Sequence, residues 1–231
     1  MTETLYDRWV SLNEGFMRLR DLKIIKVAGV YTSIPQISIR AIGFGIQTSI
    51  LLREARLDLL ESRYIDPVVW EQCYKRYRAA PTGASHTFLF NRTGDRPKAG
   101  GCLLSIVLIK DGKSWQAMIT SRAIEASMAM LADIAFVRRC LRRISEDLGL
   151  ALDLELLPIC WHIGLVHQNR VFVPVFFYDV WGPAGLKRWL HRRPRSEWEL
   201  ICQEHTVKMM AGDGVTGARA SWGRRLAKWC A

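Results

Sequence analysis

Two strand-like runs, Cys102 to Ile109 and Ser114 to Ser121, flank Asp111-Gly112 and leave this stretch few ways to fold. An Asp-Gly pair accepts the positive φ that a tight turn between antiparallel strands demands, so the spacing predicts a β-hairpin. Residues 124–147 then carry apolar side chains at helical spacing and predict a long helix. Leu152 to Leu165 and Val171 to Tyr178 read as further strands. Alternation of this kind predicts an α/β (α+β) chain, a mixed sheet covered by helices.

Upstream, Leu5, Trp9, Leu12 and Phe16 mark an opening helix over residues 3–19. Residues 23–46 are rich in Ile, Val, Thr and Gly and read as strands broken by Pro35 and Gly43. Residues 47–62 read as helical. Asp66-Pro67 opens a short helix through Tyr77, because proline is tolerated in a first turn. Pro81 and Gly83 make residues 78–85 a loop, His86 to Asn91 is a short strand, and NRTGDRPKAGG is a polar turn region. Downstream, residues 183–191 and 196–211 read as helices. The tail after Gly212, with Gly214 and Gly217, is expected to be loosely held before a short terminal helix. No repeat or linker divides the chain, so residues 1–231 are expected to form one domain with a basic, Trp-rich part over about 183–231.

Composition narrows the class. Apolar residues make up 49% and charged residues 24%, which excludes a largely disordered chain. The longest apolar candidate, Ile37 to Leu52, is interrupted by Arg40 and Gln47 and is too short for a membrane span, so no membrane partner is expected. MTETLYDRW lacks the basic start and apolar stretch of a secretory signal, and a cytoplasmic location is expected. The six cysteines, Cys73, Cys102, Cys140, Cys160, Cys202 and Cys230, form no C-x-x-C pair and no zinc spacing. They are expected to be reduced and mostly buried, with no metal.

The formal net charge is +11 and the pI near 9.7. A surplus of that size favours polyanions. Lys187, Arg188, Arg192, Arg193 and Arg195 lie in one run with His191, and Arg224, Arg225 and Lys228 lie near the C-terminus. Trp189, Trp198, Trp222 and Trp229 are interleaved with them and either stack on bases or anchor the core. The run from Lys187 to Arg195 is the candidate nucleic-acid-binding segment. Arg138, Arg139, Arg142 and Arg143 form a stripe, either solvated or facing a polyanion.

Cys102 begins a strand, and the Asp111-Gly112 hairpin follows. Arg122 stands twenty residues after the cysteine, Asp133 eleven further, and His162 and His167 lie beyond on a strand. This spacing resembles the catalytic half of the thymidylate synthases. RAIEASMAMLAD resembles that family's RSCD-x-x-LG-x-PFN region in pattern, with Arg122 and an acid at Glu125 kept. Upstream, LDLLESRYIDPVVW resembles a stretch ending in an IWD-type tryptophan, which makes Trp70 its counterpart; Glu54 stands for the upstream catalytic glutamate once a gap is allowed.

The resemblance implies a thymidylate-synthase-like domain, a face-to-face homodimer, and catalysis by Cys102, Glu54 and Trp70 on a base held by Arg122, Asp133, His162 and His167. A thiolate is a strong nucleophile, and a cation beside the thiol favours it. Addition of Cys102 to C6 of a pyrimidine turns C5 into a carbon nucleophile. Glu54 would move protons. Arg122 would also grip a phosphate. Asp133 stands where asparagine is usual and resembles the cytidylate hydroxymethylases there; it either accepts from the amine of cytosine as a carboxylate, donates to uracil if protonated, or is a helix-surface aspartate with no ligand. His162 and His167 either contact a sugar and order water or are ordinary core or surface histidines.

Several positions depart from the family. Gly83-Ala84-Ser85 holds no phosphate-binding arginine pair, Ala123 replaces a phosphate-binding serine, and Gly164 replaces the tyrosine for a ribose hydroxyl. Ala129 and Ala132 replace the folate-side Gly and Phe. Thiol chemistry is kept while contacts to a free nucleotide are lost. The leading expectation is modification of C5, or its methylene, on DNA, as in phage thymine and cytosine hypermodification, in the host cytoplasm. A dCMP or dUMP hydroxymethylase or methylase using methylenetetrahydrofolate is the alternative. A non-catalytic nucleic-acid-binding protein on a decayed enzyme fold is the third reading.

Overall fold

A computed structural model describes residues 3–21, 31–45, 54–90, 102–127, 129–169 and 173–191. The elements run α1 (Leu5–Asp21), β1 (Tyr31–Ile42), α2 (Glu54–Tyr64), α3 (Pro67–Ala79), β2 (Ser85–Leu89), β3 (Leu103–Asp111), β4 (Ser114–Glu125), α4 (Ala129–Leu148), β5 (Pro158–Asn169) and α5 (Val173–His191). Five strands make one sheet in the order β1-β5-β4-β3-β2. β2, β3 and β4 are antiparallel, and β5 is parallel to β4. The expected mixed α/β architecture is therefore present. Chain contacts divide it into two units, one of Met1–Ile25 with Ser33–His167 and one of Lys26–Thr32 with Gln168–Ala231. Among the described residues, no helix is long and apolar enough to cross a membrane.

In the first unit the hairpin forms where Asp111-Gly112 predicts it. Asp111 pairs with Ser114, and Gly112 takes the turn at φ 59. The register builds two different faces. On one, Ile106, Ile119 and Trp161 line up across three strands, as do Leu108, Ala117 and Ile159; all six are buried. A register irregularity between Leu103 and Ser105 lets Leu103 join this face beside Ser121. The opposite face carries Val107, Met118 and Cys160, then Ser105, Thr120 and His162, all only half-buried or exposed.

Helices pack through α1 with α4, α2 with α4, α3 with β2, and α4 with β4. Asp66 caps α3, accepting from the amides of Val68 and Val69 at 2.9 and 3.3 Å. α4 begins at Ala129, later than the expected residue 124, because β4 runs on to Glu125. The buried Glu125 carboxylate accepts from the amides of Ser127 (3.0 Å) and Ala129 (3.2 Å) and so supplies the cap. The arginine stripe of α4 is neither bare nor polyanion-facing along its length. Arg138 pairs with Glu155 at 2.6 Å, Arg139 with Asp58 at 2.7 Å, and Arg143 with Glu61, so two of them tie α4 to α2.

Pro35 does not break its strand. β1 passes through it, because an edge strand has no ladder partner on one side for the missing N–H. The strand does stop before Gly43, at φ 67, where a Cβ would stand 2.2 Å from the Glu155 carbonyl oxygen. In the second unit, residues 171–178 were expected as a strand, but Val173 opens α5. Val173 and Phe176 are buried one turn apart, and Phe176 packs against Phe177 and Trp181 at 5.2 and 5.5 Å between ring centres. Pro174 falls in the first turn, where no backbone donor is needed. Gly182 kinks the helix at φ 65. The polar turn region, the 196–211 helix and the C-terminal tail lie outside the described residues.

Candidate functional site

Cys102 sits one residue before β3 and is half-buried. Its carbonyl accepts the Arg122 amide at 2.7 Å. A cysteine just before one strand and an arginine near the end of its hairpin partner are thus backbone neighbours, because the turn is tight and the irregularity between Leu103 and Ser105 shifts the register by one. Arg122 is exposed and lies two residues beyond Thr120, on the same face.

β5 completes the row. Gly164 lies beside Arg122, and a Cβ there would approach the Arg122 carbonyl oxygen to 2.8 Å. A side chain at this position does not fit without a shift of the β4 backbone.

His162 pairs with Thr120 and shares the half-open face. Its Nδ1 lies 2.8 Å from Ser38 Oγ on β1, and its Nε2 lies 3.4 Å from Cys160 Sγ. His167 pairs with Glu125, and its carbonyl accepts the Ala126 amide at 2.7 Å. The Ala126 carbonyl in turn accepts Trp9 Nε1 (2.6 Å) and Asn13 Nδ2 (2.9 Å). Both hydrogen-bonded carbonyls belong to the framework that joins β4, β5, α1 and α4.

The other expected residues among those described lie on helices. Asp133 is buried on α4. Trp70 is 1% exposed and donates its indole N–H to the Leu89 carbonyl at 2.7 Å. It packs on Phe88 and Phe90, so its surroundings are those of a core residue. Glu54 is the first residue of α2, and its side chain lies outside the described set. Lys187 and Arg188 are exposed on α5, whereas Arg192, Arg193 and Arg195 lie outside the described residues. A cleft lined by Asp58, Glu61, Trp70, Tyr74, Arg139 and Arg143 already matches its cations to its acids. No group of three metal-ligating side chains occurs among the described residues.

Ala129 gives its amide to Glu125 at 3.2 Å, and Ala132 carries only a methyl where the resemblance puts an aromatic. Ser38 and Cys160 are the residues that the sequence did not flag. The C-x-H alternation of Cys160 and His162 was a legible signal, since residues two apart on a strand share a face. Ser38 had none, because only the β1-β5 pairing brings it near.

Burial pushes the His167 imidazole down from 6.5, with Glu125 partly opposing. Burial lowers His86 too, aided by Lys110 and opposed by the Gly83 backbone. An imidazole of lowered pKa takes its proton later in the folded chain than in the unfolded one. Stability is therefore full above the unfolded value and is lost as pH falls through the folded one. The urea midpoint should fall between about pH 7.5 and pH 5.5, and less steeply in the double variant His86→Asn, His167→Asn. Equal slopes for both proteins would refute the assignment.

The described residues thus define a mixed α/β protein in which a half-buried cysteine is bonded through its backbone to an exposed arginine on the neighbouring strand. No protein-family model matches the chain, and no curated protein matches it. Among solved structures, it is similar to the thermostable thymidylate synthase A from Bacillus subtilis, with 10% identity and a TM-score of 0.44 over 64% of this chain and 70% of that one.

Proposed function

We propose that this chain is a thymidylate-synthase-like transferase that modifies C5, or the C5 methylene, of a pyrimidine on DNA through an adduct between Cys102 and C6. The observation that supports this reading is the 2.7 Å bond from the Arg122 amide to the Cys102 carbonyl, which pairs the two residues through their backbones. Addition of the thiolate at C6 pushes an electron pair to C5 and the adjacent carbonyl. That pair then expels a leaving group from a C5 methylene, or attacks a one-carbon electrophile. An incoming amine adds to the resulting exocyclic methylene, and loss of the Cys102 thiolate restores the ring. Arg122 grips a phosphate through two N–H groups.

A polynucleotide substrate is favoured by the +11 charge and the exposed Lys187 and Arg188. Gly164, where the resemblance puts a ribose-binding tyrosine, points the same way. The target base must leave the stack to meet Cys102. A homodimer and phosphate contacts from Arg192, Arg193 and Arg195 belong to the same reading.

The test is intact-mass spectrometry of the protein with a 5-fluoropyrimidine, offered once as the free monophosphate and once within an oligonucleotide. A covalent adduct with the oligonucleotide is expected. An adduct with the monophosphate alone moves the substrate to a free nucleotide. Oligonucleotide binding without an adduct, when a C5-methylene substrate and an amine are also supplied, leaves a non-catalytic binding protein.

A further inference from the structure

Cys160, His162 and Ser38 form a chain of side chains on the half-open sheet face. Cys160 and His162 alternate on β5 and so point the same way. The Cys160 Sγ to His162 Nε2 separation is 3.4 Å, and His162 Nδ1 stands 2.8 Å from Ser38 Oγ. In the single chain Cys160 is half-buried, while His162 and Ser38 are exposed. This is the arrangement of an activated nucleophile: a thiol within reach of a base, and the base oriented by a third group. In the tautomer that carries its proton on Nδ1, facing Ser38 Oγ, Nε2 is the nitrogen left to take the thiol proton. The other described cysteines lack such a partner among the hydrogen bonds found: Cys73 and Cys140 are buried, and Cys102 meets Arg122 through its backbone.

We propose that Cys160 is a second reactive thiol, a site of reversible mixed-disulfide formation with small soluble disulfides, driven by His162 and oriented by Ser38. Cys160 Sγ passes its proton to His162 Nε2 and attacks one sulfur of the disulfide. The S–S bond breaks, and its electron pair leaves on the departing sulfur, which takes the proton from His162 and departs as a thiol. Cys160 is oxidised and the departing half is reduced. The reverse exchange with excess small thiol restores Cys160. The thiolated side chain lies on the Thr120 and Arg122 face of the sheet, four residues along β5 from Gly164. The proposal does not rest on the pyrimidine reading, because it uses none of its reacting residues except the exposed His162.

The experiment is stopped-flow labelling of the full chain at neutral pH with dithiodipyridine, followed by peptide mapping after reaction with oxidised glutathione. Cys160 is expected to be the first cysteine labelled, and Cys160→Ser to remove the fast phase. His162→Asn should slow Cys160 labelling by about 10- to 100-fold, with part of the rate returned by added imidazole and Cys102 labelling unchanged. Ser38→Ala should give a smaller loss at unchanged circular dichroism. Cys160 reacting no faster than Cys102, or His162→Asn leaving its rate unaltered, would overturn the proposal. Loss of the adduct at Cys102 with fast labelling of Cys160 kept would sink only the pyrimidine reading.

Discussion

Cys102→Ser is expected to form no covalent adduct with a 5-fluoropyrimidine oligonucleotide while retaining the wild-type melting temperature. The thiol is half-buried and precedes β3, and the tie to Arg122 runs through the backbone carbonyl, which serine keeps. A hydroxyl is far less nucleophilic than a thiolate at neutral pH, so the loss should be complete on the time scale of the wild-type reaction. Arg122→Ala is expected to slow adduct formation by about 100-fold, since an ionic hydrogen-bonded contact is worth about 2–3 kcal/mol. That variant also keeps its backbone bond to Cys102. Intact-mass time courses for the three proteins measure both effects. An adduct of undiminished rate in Cys102→Ser would remove the nucleophile from the proposed mechanism.

Trp70→Ala should destabilise the chain by about 3–5 kcal/mol, the range for deleting a fully buried large aromatic. Trp70 is 1% exposed. Its ring stands 5.9 Å from Phe88, 5.5 Å from Phe90 and 6.0 Å from Tyr74, and the Arg143 guanidinium lies 5.9 Å above it. Removal leaves a cavity among rings from α3 and β2 and an unpaired Leu89 carbonyl. Trp70→Phe fills much of the space and loses only the indole N–H donor, so about 1–2 kcal/mol is expected. Urea denaturation separates the two variants. If Trp70 served catalysis from an exposed position, Trp70→Ala would lose activity at near wild-type stability, and the packing account would fail.

Where local physics decides, the sequence was enough. Asp111-Gly112 closes the hairpin because glycine takes a positive φ cheaply and the flanking runs match its twist. Asp66-Pro67 starts α3 because a carboxylate accepts free amides and proline needs no donor in a first turn. The Cys102 and Arg122 bond needs more than that hairpin, since the turn's register alone would set Cys102 opposite Ala123, and the irregularity between Leu103 and Ser105 supplies the one-residue shift.

Elsewhere, partners distant in the chain decided. Residues 171–178 have strand composition, yet Val173 and Phe176 are buried one helical turn apart, and burial outweighs a propensity worth tenths of a kcal/mol per residue. The α4 arginines look solvated in isolation, but Asp58 and Glu61 meet Arg139 and Arg143 across more than eighty residues. Pro35 lies inside a strand because β1 is an edge, a fact of sheet order alone. Ser38 meets His162 for the same reason: β1 lies beside β5, and hydrogen bonds between strands are indifferent to the length of chain that joins them.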